Sequence, residues 1–113
     1  MTDKILKNIE FEKALEMASL VTYQESHIVS RTLVQNKSLS ITLFSFDAGE
    51  EISSHESHGD ALVYILDGST SITIGEKAHS VNAGQTIVMP ASVPHALKAL
   101  EPFKMLLIVV FPV

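Results

Sequence analysis

The chain has 113 residues, with 8 Lys and Arg against 13 Asp and Glu, for a formal net charge of −5. That length holds one domain around one core, and 46% apolar against 19% charged residues is enough apolar material to fold. The acidic balance excludes a general nucleic-acid binder and adhesion to an anionic membrane. The lack of cysteine excludes disulfides, thiolate metal sites and Cys nucleophiles, so any metal must be held by imidazole and oxygen.

Residues 1–23 differ in texture from the rest. Charge interrupts MTDKILKNIEFEKALEMASL every two or three residues, so the apolar core of a signal peptide is missing. The longest apolar run, residues 105–111, is far short of the roughly 20 needed to span a bilayer. A soluble cytoplasmic protein is expected. Phe11, Leu15 and Ala18 fall at helical spacing among Glu10, Glu12, Lys13 and Glu16, which predicts a short amphipathic helix over 10–18 that caps one end of the fold. Residues 1–8 read as an extended or frayed arm. Residues 1–23 are therefore taken as an arm and helix, and 24–113 as the body of a single domain.

Beyond Tyr23 the pattern becomes short β-type runs between turn residues. Strands are predicted at 30–34, 39–43, 61–66, 71–74, 78–81, 86–89, 94–97 and 104–111. Asp47-Ala48-Gly49, Asp67-Gly68, Gly75-Glu76-Lys77, Asn82-Ala83-Gly84 and Pro90 punctuate them. Regular short spacing without βαβ units points to an antiparallel sandwich or barrel. The run 61–66 is apolar on both faces, as in a strand covered on both sides.

Three of the five histidines lie where strands meet turns: His55 and His58 in Gly49-EEISSHESHGD, and His95 in Gly84-QTIVMPASVPH. Strand ends can be aimed into a barrel mouth, where small β barrels place ligands. Converging imidazoles there would hold a divalent ion and leave positions open. Alternation puts His55, Ser57 and Ala61 on one face and His58 and Asp60 on the other, unless a bulge near His58-Gly59 re-aims them. Asp60 reads as an acceptor for backbone N–H groups in the turn. Pro94 fixes the chain just before His95.

These two segments resemble the paired signature motifs of the cupin superfamily. Gly49, five residues, His55 and the later Gly68 match the first motif; Gly84, five residues, Pro90 and then His95 match the second. The resemblance covers roughly residues 38–111 and implies an all-β jelly-roll, or double-stranded β-helix, barrel. It also departs from the pattern. Ser57 stands at the second His position, Ala61 at the Glu position, Ser92 at the second motif's Gly and Ala99 at its closing Asn.

The resemblance implies a small molecule bound in the barrel, with a divalent ion (Zn, Fe, Mn or Ni, which the sequence does not distinguish) held by His55 and His95 and joined by His58. The family's chemistries include dioxygenase, isomerase and decarboxylase reactions, and fold alone does not choose among them. The alternative is a metal-free binding or sensor module, with a pocket lined by Val63, Ile65 and Ile72 and anchored by the two histidines. The resemblance also implies a homodimer through edge strands and N-terminal arms, which the apolar C-terminal strand and the arm of this chain would suit.

Overall fold

The computed structural model describes residues 4–113. Nine strands follow the turn punctuation: β1 (Ile28–Gln35), β2 (Leu39–Phe46), β3 (Glu51–His55), β4 (Asp60–Asp67), β5 (Ser69–Ile74), β6 (Lys77–Asn82), β7 (Thr86–Met89), β8 (His95–Lys98) and β9 (Phe103–Val110). They form two antiparallel sheets, β1-β2-β9-β4-β7 and β3-β8-β5-β6. The sheets face one another as a jelly-roll barrel, the fold expected. Eight strands fall within a few residues of their predicted positions; β3 has no predicted counterpart.

Period-2 alternation sets the interior. Along β4, Ala61, Val63 and Ile65 are buried, and Phe103, Met105 and Val109 of β9 meet the same core. Phe46 and Phe103 are partners in the β2–β9 ladder and stack with centroids 4.5 Å apart, an offset aromatic pairing that adds to area burial. At the Asp67-Gly68 turn Gly68 takes φ +73°, and a Cβ there would lie 2.2 Å from the Pro102 carbonyl oxygen. Only glycine fits so close a backbone approach.

The outer face of the five-stranded sheet carries a second cluster. Val21, Leu33 and Leu43 are buried there, with Ile9, Leu20, Leu66 and Leu106 packed against them. The N-terminal segment reaches this face extended. The predicted helix over 10–18 does not form; a single 3-10 turn at Met17–Leu20 replaces it. Three physical reasons account for this. Nine residues fall below the roughly 12–15 at which an isolated helix becomes even marginally stable. Glu12 has φ +57°, which breaks helical continuity. Phe11 remains 44% exposed, so the apolar stripe finds no surface to bury against.

The segment is held instead by backbone and side-chain bonds. Lys7 N–H donates to the Leu33 carbonyl at the edge strand β1. The Arg31 guanidinium donates to the Leu20 carbonyl, Lys104 to the Ala18 carbonyl and Ser45 to the Thr22 carbonyl. Tyr23 donates its hydroxyl to Asp67 at 2.5 Å. Residues 1–3 of the expected arm lie outside the described residues.

Coverage of the outer face is partial. Leu62 and Tyr64 of β4 are exposed, as are Val88 (50%) and Val110 (56%). The run 61–66, expected to be covered on both sides, is thus buried on its inner side and half-buried only at Leu66 on its outer side.

Candidate functional site

His55 ends β3 and His95 begins β8, and the two residues are partners across that ladder. The register explains how they meet. Ile52 pairs with Leu97 and His55 with His95, so three steps on β3 match two on β8. Strict alternation from inward-facing Ile52 would send His55 outward. One extra residue, a β-bulge over Ser53–Ser54, returns it to the inner side. The bulge lies upstream of the position near Gly59 expected from the sequence.

The rings stand with centroids 4.3 Å apart and tilted by 69°, with Nε2 facing Nε2 at 3.1 Å. His95 is 4% exposed, and His55 closes the site on the solvent side. The Nδ1–H of His55 donates to the Ser53 carbonyl at 3.0 Å, and that of His95 to the Val93 carbonyl at 3.3 Å. A carbonyl oxygen can only accept, so each ring's proton sits on Nδ1 and each Nε2 carries a lone pair. Burial pushes the His95 pKa below its ordinary value of 6.5; the Val93 carbonyl opposes that shift and His55 adds to it. The two Nε2 atoms are close enough to share one cation, a proton or a metal ion, between them.

The spacing suits a metal ion. Metal–imidazole bonds run about 2.0–2.1 Å, and two of them ending 3.1 Å apart meet at about 100°, between octahedral and tetrahedral values. Backbone carbonyls behind both rings supply the outer bonds that orient metal-binding imidazoles. The residues present therefore fit a divalent ion held by two neutral ligands.

His58 stands apart from this pair. Among the described residues no group of three or more His, Cys, Asp and Glu is placed to hold an ion. The loop 56–59 is pinned by the Ser92 N–H on the Ser57 carbonyl, and by the Gly59 N–H on the Ser57 hydroxyl. His58 is exposed; with Glu56 and Ser57 it lines the rim of the cavity that holds the histidine pair, and it also borders an outer concavity with Gln35, Asn36, Lys37 and Ser92. Asp60 faces away and accepts the Ala91 N–H at 2.8 Å, the structural role anticipated for it.

The histidine pair lies at the polar end of a cavity of about 360 Å³, walled mainly by Phe44, Ile52, Leu97, Met105, Leu107 and Phe111. The expected wall of Val63, Ile65 and Ile72 is corrected: all three are fully buried in the core. Met89 and Met105 also line the cavity. Sequence reasoning missed Phe44, Ile52, Leu107 and Phe111. Once β3 is recognised, alternation from His55 through the bulge points to Ile52.

A two-sheet antiparallel barrel with a histidine from each of two motifs at its mouth is the architecture of the cupins. The Cupin domain family matches residues 42–111, and the chain belongs to it. It is similar over 100% of its length, at 49% identity and a TM-score of 0.98, to a conserved protein of unknown function from Streptococcus pyogenes, 99% of which is covered. A cupin superfamily protein from Desulfitobacterium hafniense shares 36% identity over 95% of this chain and 98% of its own, with a TM-score of 0.90. A Cupin 2 conserved barrel domain protein from Leptotrichia buccalis shares 45% identity over 82% of this chain and 45% of its own, with a TM-score of 0.81. No match was found among curated proteins.

Proposed function

We propose that this protein binds a small molecule inside the barrel through a divalent ion held by the Nε2 atoms of His55 and His95, with His58 flanking the mouth. The observation that carries the reading is the approach of the two Nε2 atoms to 3.1 Å, with each ring fixed by a backbone carbonyl at its Nδ1. A bound ion would polarise a ligand oxygen as a Lewis acid. The chain's own residues orient the two imidazoles, and burial disfavours the protonated form of His95. The apolar walls bind the body of the ligand and exclude water.

The test uses protein purified without a nickel column. Its metal content is measured, and its thermal midpoint is compared in EDTA and with Fe²⁺, Mn²⁺, Zn²⁺ or Ni²⁺. An ion at 100 times its dissociation constant stabilises the native state by about 2.7 kcal/mol, and each kcal/mol raises the midpoint of a domain this size by about 4–8 °C. That rise should vanish in His95→Ala. A protein with no metal and no shift supports a second reading, a metal-free binding module. Among the described residues no third ligand joins the two histidines, which favours that alternative.

The partner reading is a homodimer across the uncovered part of the outer sheet face. Ladder registers place Leu62 beside Ile108 and Val88, and Ile41 beside Ile108, which makes one continuous apolar patch bounded at one end by Asp60 opposite Val110. On a chain of net charge −5, an uncharged patch is where two copies can approach, and two-fold symmetry lets one patch cover its twin.

A further inference from the structure

We infer that the cavity takes a small primary amine with an apolar body, whose ammonium group binds at the histidine end and donates to the Nε2 atoms of His55 and His95. This ligand class rests on the metal-free reading above, because the ammonium takes the place of an ion between the two rings. The polar groups that line the cavity are mostly acceptors. Both Nδ1–H groups are committed to the Ser53 and Val93 carbonyls, so each Nε2 presents a lone pair and can only accept. The two atoms lie 3.1 Å apart, close enough for one cationic group to reach both. Glu56 lines the same cavity, and its carboxylate is a third acceptor.

Charge points the same way. With imidazoles neutral at about pH 8, Glu56 alone among the described lining residues carries a formal charge, and neither Lys nor Arg lines the cavity. The Ser57 hydroxyl accepts the Gly59 N–H, and His58 stands exposed at the rim. Each of these two can serve a ligand as donor or acceptor, so neither opposes an ammonium. A carboxylate at the histidine end would face Glu56 and two lone pairs. An alcohol brings a single donor. An ammonium brings three donors and no acceptor, and its hydrogen bonds are charge-assisted. Burying that charge completely would be costly. His55 and Glu56 are exposed, so the head keeps contact with water while the body lies among Phe44, Ile52, Leu97, Met105 and Leu107. The cavity, about 360 Å³, is at the small end of the range for ligand pockets and suits a body of one ring or a short chain.

The experiment titrates three molecules with one body into the full chain by calorimetry, in EDTA and phosphate buffer at about pH 8. They are cyclohexylmethylamine, cyclohexylmethanol and cyclohexanecarboxylate. The amine is expected to bind about tenfold tighter than the alcohol, and the carboxylate to show no binding. Methylamine, which has the head without the body, should not bind either. His55→Ala and Glu56→Gln change exposed positions, so both variants should fold. His55→Ala should weaken the amine by about tenfold and the alcohol by less. Glu56→Gln should weaken the amine by about two- to fivefold and leave the alcohol unchanged. An alcohol or carboxylate that binds as tightly as the amine overturns the inference and leaves the cavity standing as a binding site. Methylamine binding as tight as that of the larger amine shows attraction to the acidic chain alone and overturns it too. So does an amine preference that both variants leave unchanged, because the ammonium then lies elsewhere. No binding by any of these molecules overturns both the inference and the metal-free reading.

Discussion

His55 and His95, 40 positions apart in the chain, are direct partners across the β3–β8 ladder because the one extra residue of β3 between their shared pairs is taken up in a bulge. Deleting Ser54 would leave two steps on β3 against two on β8, so regular alternation should keep the His55 ring on the inner side opposite His95. Both bulge residues are exposed, so the stability loss should stay within about 1–2 kcal/mol. The far-UV circular dichroism spectrum and the metal-induced rise in thermal midpoint should both be retained. A folded deletion variant that no longer responds to metal would show that the bulge itself aims His55.

Burial of His95 gives the metal-free protein an acid-sensitive limb. Its folded pKa lies below the unfolded value of 6.5, with burial as the main cause. Between those two values the unfolded chain binds more protons, so stability rises with pH. The contribution is fully present above pH 6.5 and is lost as pH falls through the folded value. Urea midpoints measured in EDTA over this range should decline toward acid, and His95→Gln should flatten the decline. An unchanged slope in the variant would assign the effect to other groups.

Two backbone positions hold the mouth, and they should respond oppositely to substitution. A Cβ at Gly59 would sit 2.5 Å from the Val110 carbonyl oxygen and 2.8 Å from a Val109 methyl, so Gly59→Ala must push β9 away from the loop. A loss of about 1–3 kcal/mol is expected. Ser92 has φ +63°, a left-handed conformation that disfavours side chains, and Ser92→Gly should recover about 1 kcal/mol. Chemical denaturation of the two variants checks both signs.

A dimer across the outer face should be sensitive to charge at its centre. Val88→Glu places a carboxylate in the uncharged patch at a position already 50% exposed, so the monomer should fold normally. Sedimentation velocity should show a dimer for the parent chain and a monomer for the variant. A parent chain that stays monomeric at high concentration would remove the homodimer reading.

The barrel was legible because its strands advertise themselves. Leu39, Ile41 and Leu43 alternate with Ser40 and Thr42, and Asp67-Gly68 closes β4 before β5 begins. β3 was not legible, since Glu51–His55 has one apolar residue and is exposed at four of its five positions. Its place is set by pairing with β8, not by its own pattern. The helix misreading has the converse origin: Phe11, Leu15 and Ala18 have the spacing, but the surface they would cover is reached by Val21, Ile9 and Leu20 from an extended segment. The histidine pair was readable from the motif resemblance. The bulge before His55, and the apolar residues beyond it, depend on registers that no local pattern encodes.

The β3–β8 ladder also has a consequence for how the protein matures. Its two halves are synthesised far apart in time, and the first waits, polar and unpaired, until β4 to β7 have been laid down. On the proposed metal reading, a nascent or truncated polypeptide would hold only one of the two imidazoles and could not sequester an ion prematurely. Affinity arrives in one step when the roll closes, so ligand capture in a cell would report completed molecules and ignore fragments.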